Sequence, residues 1–201
     1  MQEAVLQGIF TGLVLSTFLG PIFFMLIDLG VNSTLKAVAY LAFGCFISDI
    51  LIVLFIHLIA GKLIQQNINL DMLYLVGGLV LVIFGAVNIL KKARAGGIHY
   101  PNQRGLFKLF AKAFLINTTN PNVFFFWFGA VMVAVKTYHN QAPLVLSHFV
   151  SALIIVFTTD FLKGYSASLL KKFITINRMK VLNIVSGIIL IYFGFKLMFF
   201  H

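Results

Sequence analysis

A chain of 201 residues that is 61% hydrophobic and 10% charged holds far more apolar surface than a soluble fold of its size can bury, which excludes an ordinary globular domain. Its net charge of +10 would suit a nucleic-acid binder, but the basic residues gather between long apolar stretches, so no nucleic-acid partner is expected. Cys45 is alone, which excludes an internal disulfide and any multi-cysteine metal site.

Apolar stretches of about 20 residues match a hydrocarbon core of about 30 Å. Six occur, roughly Ala4 to Ile27, Ala37 to Ala60, Leu70 to Leu90, Ala113 to Val135, Leu144 to Leu162 and Val181 to Phe200. The first lacks a basic leader and is too long for a cleaved signal, so it is read as a permanent span. It is interrupted at Gly20-Pro21, and Gly8, Gly12, Ser16 and Gly20 mark one of its faces for close packing, within the bundle or in a dimer. The second span carries Asp49 and ends near His57, and the third is punctuated by glycines. A basic loop with Lys91, Lys92, Arg94, Arg104, Lys108 and Lys112 follows, suited to orientation and to anionic lipid headgroups.

The fourth span is broken by Asn117-Thr118-Thr119-Asn120-Pro121-Asn122. Proline removes a donor and displaces a carbonyl, and lipid offers nothing to the freed groups, so the break must face protein or a wet cavity. Trp127 and the many phenylalanines read as lipid-facing or core rather than as a substrate box. His139 and His148, like His57, lack metal-ligand spacing and read as interfacial, and no metal site is expected. The fifth span carries Asp160 and, three residues on, Lys163, a possible counter-charge on the same helical face.

The chain is written twice. Leu73 to Gly85 lies over Leu182 to Gly194 at an offset of 109, with six of thirteen positions identical, among them Gly78 with Gly187 and Gly85 with Gly194. Ser48-Asp49-Ile50-Leu51 matches Thr159-Asp160-Phe161-Leu162, and Pro21 matches Pro121. Each half therefore runs broken span, aspartate span, glycine span. Three crossings per half turn the second copy upside down, so the expected fold is an all-α integral membrane protein of six transmembrane helices in two inverted three-helix repeats, residues 1–90 and 113–201, joined by a basic cytoplasmic linker, 91–112. The repeat also moves the fifth span to His148 through Lys171, later than hydropathy puts it. Eleven basic residues fall in the first, third and fifth connections against three on the opposite side, which places those loops in the cytoplasm and both termini outside.

Asp49 and Asp160 are two of only five acids. A carboxylate at a helix centre costs roughly 2.5 to 3.5 kcal/mol on insertion scales, so each needs a partner, a hydrated cavity or a proton. One role is to hold a substrate ammonium, a proton, or both; a structural salt bridge is the other, favoured at Asp160 by Lys163. Gly20, Pro21, Asn117, Thr118, Asn120, Pro121 and Asn122 are the candidate substrate-binding residues, because uncharged donors and the amide end of a helix restarting after Pro121 suit the carboxylate of a zwitterion. No Walker loop, HExxH or nucleophile elbow occurs, so neither an enzyme nor a cofactor is expected.

Leu19-Gly20-Pro21, Gly44 through Ser48-Asp49, and Phe114-Leu115-Ile116-Asn117 to Asn120-Pro121 together resemble the motifs of the LysE/RhtB family of amino-acid exporters, with Leu19, Ser48 and Asn122 departing from the family's proline, glycine and lysine. The resemblance implies a multi-pass exporter of the bacterial plasma (inner) membrane that moves amino acids or related metabolites outward, driven by the proton gradient, and it allows a homodimer. A metal-cation exporter, as in more distant relatives, and a non-transporting scaffold or accessory subunit are the alternatives.

Overall fold

The computed structural model describes residues 1–18, 20–65, 70–90, 105–167, 169 and 176–199. Among them the chain forms eight helices and no strand: α1 (Gln2–Ser16), α2 (Pro21–Asn32), α3 (Leu35–Gln65), α4 (Leu70–Leu90), α5 (Leu106–Thr118), α6 (Pro121–Thr137), α7 (Ala142–Tyr165) and α8 (Ile176–Phe199). Lys91, Lys92, Arg94, Arg104, Lys171 and Lys172 lie outside the described residues.

Within α3 and α7, the segments Leu35–Ala60 and Ala142–Tyr165 are long and apolar enough to cross a membrane, with mean hydropathies of 2.4 and 1.9. The pairs α1 with α2 and α5 with α6 qualify only together, and they are bent by 78° and 64°. By length and composition this makes two spans, or four with each bent pair taken as one; α4 and α8, of 21 and 24 residues, complete the bundle. The outside is apolar. Leu75, Leu79, Ile83 and Val87 repeat every fourth residue along α4 and are all more than half exposed, as are Leu54, Phe55 and Leu58 on α3. Continuous apolar stripes of this kind are suited to lipid rather than water.

Helix contacts settle the relative directions. Gly8 lies against His148 and Gly12 against Ala152, while the Ser16 and Thr159 hydroxyls meet at 2.6 Å, so α1 and α7 run parallel. Gly44 meets Phe110 and Ala113, and Ser48 Oγ lies 2.8 Å from Thr118 Oγ1, so α3 and α5 do likewise. Val38 against Gly164 and Phe46 against Phe157 set α3 antiparallel to α7. Gly78 against Gly194 and Gly85 against Gly187 set α4 antiparallel to α8, the most extensive contact of the fold. A Cβ on Gly85 would stand 2.6 Å from the Gly187 carbonyl oxygen, and one on Gly187 2.5 Å from that of Gly85, so only glycine lets these backbones touch.

Two expected boundaries move. The fifth span begins at Ala142 and ends at Tyr165, closer to the hydropathy limits than to the later frame taken from the repeat, because Pro143 suits the first turn of a helix and the chain leaves helical geometry at Ser166. The helix before the second break begins at Leu106, so residues 106–112 of the expected linker are its first turns.

Candidate functional site

The second helix break is built so that few backbone groups are left bare. Pro21 and Pro121 each occupy the first turn of a new helix, where a missing N–H costs nothing and φ is already helical. At the end of α5 the Thr118 and Thr119 hydroxyls donate back to the carbonyls of Phe114 and Leu115 at 2.8 and 2.7 Å. Asn120 caps α6, its side-chain oxygen accepting the Asn122 N–H at 3.1 Å. That amide is therefore occupied, contrary to the expectation that the restart at Pro121 presents it to an anion. The start of α2 has no side-chain cap.

The breaks meet. Gly20 sits in extended backbone, φ −117° and ψ −176°, which any residue adopts; a methyl group there would lie 3.5 Å from Asn120 Nδ2. Between them opens a cavity, part of it continuous with the exterior. Its polar lining comprises Ser16, Asp49, Asn117, Asn120, Asn122, Asp160 and Lys163, set in a wall that includes Phe18, Phe23, Val123 and Val156. Gly20 lines it as well. Pro21, Thr118 and Pro121 do not: all three are exposed, the prolines shaping helix starts and Thr118 bonding Ser48.

The two acids are held differently. Asp49, 2% exposed in the middle of α3, accepts the Asn117 amide at 2.8 Å and the Trp127 indole N–H at 2.9 Å, both on Oδ1. Those donors lie on either side of the Asn120-Pro121 break, so one carboxyl ties both arms of the bent pair to α3. Asn117 Nδ2 also reaches Ser48 Oγ at 3.2 Å. Asp160, 8% exposed, pairs with Lys163, Oδ1 to Nζ, at 2.7 Å along its own helix. Among the described residues no group of three or more His, Cys, Asp or Glu side chains converges.

Residues 13–200, which take in both breaks and both acids, match the LysE type translocator family. The chain belongs to that family. This LysE-type chain is 27% identical over 197 residues, 94% of its own length and 92% of the other's, to the "Putative amino acid efflux protein YcgF" of Bacillus subtilis (strain 168). No solved structure matches it. Family and apolar helices together make it a multi-pass membrane translocator.

Two residues of this LysE-type chain carry more than their sequence surroundings announce. Trp127 is fully buried and donates to Asp49; an aromatic among four phenylalanines gives no sign of a polar partner 78 residues away. His148 is buried within the bundle. It is 5% exposed, with Nε2 3.2 Å from Thr11 Oγ1 and Nδ1 3.3 Å from the Tyr138 hydroxyl, which in turn donates to Gln7 at 2.8 Å. His139 is exposed in the turn between α6 and α7, and His57 is half-buried on α3. The small-residue stripe Gly8, Gly12 and Ser16 faces α7, so these three serve packing inside the bundle.

Proposed function

We propose that the protein is a secondary exporter of amino acids or closely related small metabolites, coupled to protons, working by alternating access at the cavity between its two broken helices. The observation that carries this reading is the convergence of both breaks and both intramembrane acids on one cavity. Acids within spans are expensive unless they serve a pathway. Here Asp49 and Asp160 suit a substrate ammonium or a proton, while the side chains of Asn120 and Asn122 and the uncapped amide end of α2 offer neutral donors to a carboxylate, and Asn117 holds Asp49 in place. The amino-acid efflux named for the Bacillus relative agrees with a zwitterionic cargo.

Alternating access needs two halves that rock about a common site, and α1–α4 and α5–α8, each bent pair counted as one helix, serve as inverted three-helix repeats. Support comes from contacts that occur in exchanged pairs: α1 on α7 answers α5 on α3, α2 on α7 answers α6 on α3, and the glycine contacts between α4 and α8 exchange with each other. The excess of basic residues in odd-numbered connections supports cytoplasmic loops in the plasma (inner) membrane of a bacterium, with both termini outside. The test is to express the chain in cells loaded with dipeptides and to measure the amino acids that appear outside. Export above empty-vector cells is expected, with an altered pH profile in Asp49→Asn; an unchanged profile removes the proton role from Asp49, and no excess export removes the function.

A further inference from the structure

We infer that the cavity selects amino acids with an uncharged side chain, and that Lys163 is the residue that receives the substrate carboxylate. The inference rests on the amino-acid exporter reading and narrows it to a substrate class.

It follows from an inventory of charge. Among the described residues the charged groups lining the cavity are Asp49, Asp160 and Lys163. Both hydrogen bonds to Asp49 come from neutral donors, an amide and an indole, and both fall on Oδ1. Neutral donors orient a carboxylate without cancelling its charge, so Asp49 is the group an incoming ammonium can still neutralise. Asp160 is already matched, at 2.7 Å, by Lys163. An ammonium carries three donors; one is used on Asp160, and the same Nζ has others for a second carboxylate. The cation on α7 and the acid on α3 thus make a two-point receptor for an α-amino acid, with Asp160 positioning Lys163.

That arrangement is complete once the backbone groups of the substrate are seated. A lysine or arginine side chain would bring a second cation, and a glutamate side chain a second anion, into a cavity with no further unmatched charge among the described residues. What remains for the side chain carries no charge: an apolar wall that includes Phe18, Phe23 and Val156, and the neutral groups of Ser16, Asn120 and Asn122. Desolvating an unmatched charge against such a surface is strongly disfavoured, whereas an aliphatic side chain gains from it.

The experiment uses the purified full chain in proteoliposomes, with efflux of radiolabelled L-leucine challenged by L-lysine, L-glutamate, 3-methylbutylamine (leucine without its carboxylate) and 4-methylpentanoate (leucine without its ammonium). Leucine is expected to move, and lysine and glutamate to compete at least about tenfold more weakly than unlabelled leucine. In the double variant Asp160→Asn with Lys163→Met, which leaves no bare carboxylate behind, leucine should weaken by at least about tenfold while 3-methylbutylamine competes as before; Lys163→Arg should retain leucine. Lysine competing as well as leucine overturns the inference and leaves the exporter function standing. Leucine unaffected in the double variant overturns the assignment of Lys163. Movement of no amino acid overturns inference and function together.

Discussion

At the scale of single residues, the behaviour of the site turns on how each acid is held. Asp49 hangs from two neutral donors, and the Trp127 indole is the one that replaces a packing group with a polar one. In Trp127→Phe the ring keeps its edge contacts to Phe126 and Phe149 but loses the N–H. A buried hydrogen bond to a charged group contributes about 1.5–3 kcal/mol, and the variant should melt earlier in detergent by that margin and export more slowly. Combined with Asp49→Asn, the two losses should not add, because both act on one bond; additive effects in the double-mutant cycle would show that Trp127 acts by packing alone. Gly20→Ala makes a useful contrast. Its methyl meets Asn120 Nδ2 at an ordinary 3.5 Å in extended backbone, so the fold should persist unchanged by melting temperature while the methyl takes space from the cavity that Gly20 lines and export falls.

Helices here are specified partly by what sits at their ends and partly by what is missing from their faces. Asn120 caps α6 through its side chain. Asn120→Ala should cost about 1 kcal/mol of stability, read as a lower melting temperature, with Asn120→Asp restoring the cap. On α1 the determinant is absence. A Cβ at Gly12 would stand 2.5 Å from the Ala152 carbonyl oxygen and 2.9 Å from Ile155 Cβ, on the rigid backbone and branch point of α7. Gly12→Leu should therefore part α1 from α7 and abolish accumulation of folded protein in membranes, while Leu13→Ala, on the exposed side of the same turn, should be nearly neutral. Equal loss in both would mean that α1 tolerates no change of any kind.

For the whole molecule the decisive quantity is how the two halves cross the membrane. With Cys45 replaced by alanine, single cysteines at Glu3 and Lys108 should divide between the two faces: Glu3→Cys labelled by an impermeant maleimide on intact cells, Lys108→Cys only after lysis. Lys108 lies in the exposed first turn of α5 and Glu3 in that of α1, so both are open to reagent. The reverse pattern would invert the orientation, and labelling of both from one side would change the number of crossings between them. Within the bundle α1 packs parallel to α7 and α3 to α5, while α4 packs antiparallel to α8, and the labelling pattern decides how many crossings each half makes.

Much is legible in the sequence alone. Apolar length and the scarcity of charge specify a membrane protein because water and hydrocarbon sort residues by composition alone, and proline dictates a helix break wherever it falls, since the lost N–H is a covalent fact. The candidate substrate residues Gly20, Asn117, Asn120 and Asn122, the acids Asp49 and Asp160, and Lys163 stand out as polar or small residues in apolar spans, and all of them line the cavity. What no stretch of sequence could supply is the partner of each group. Whether Trp127 meets lipid or Asp49, whether His148 sits at the surface or between Thr11 and Tyr138, and whether Pro21 touches the cavity or only bends the chain beside it depend on which helix faces are turned together. That choice belongs to tertiary packing, because a helix offers its residues in all directions and only its neighbours decide which direction is inside.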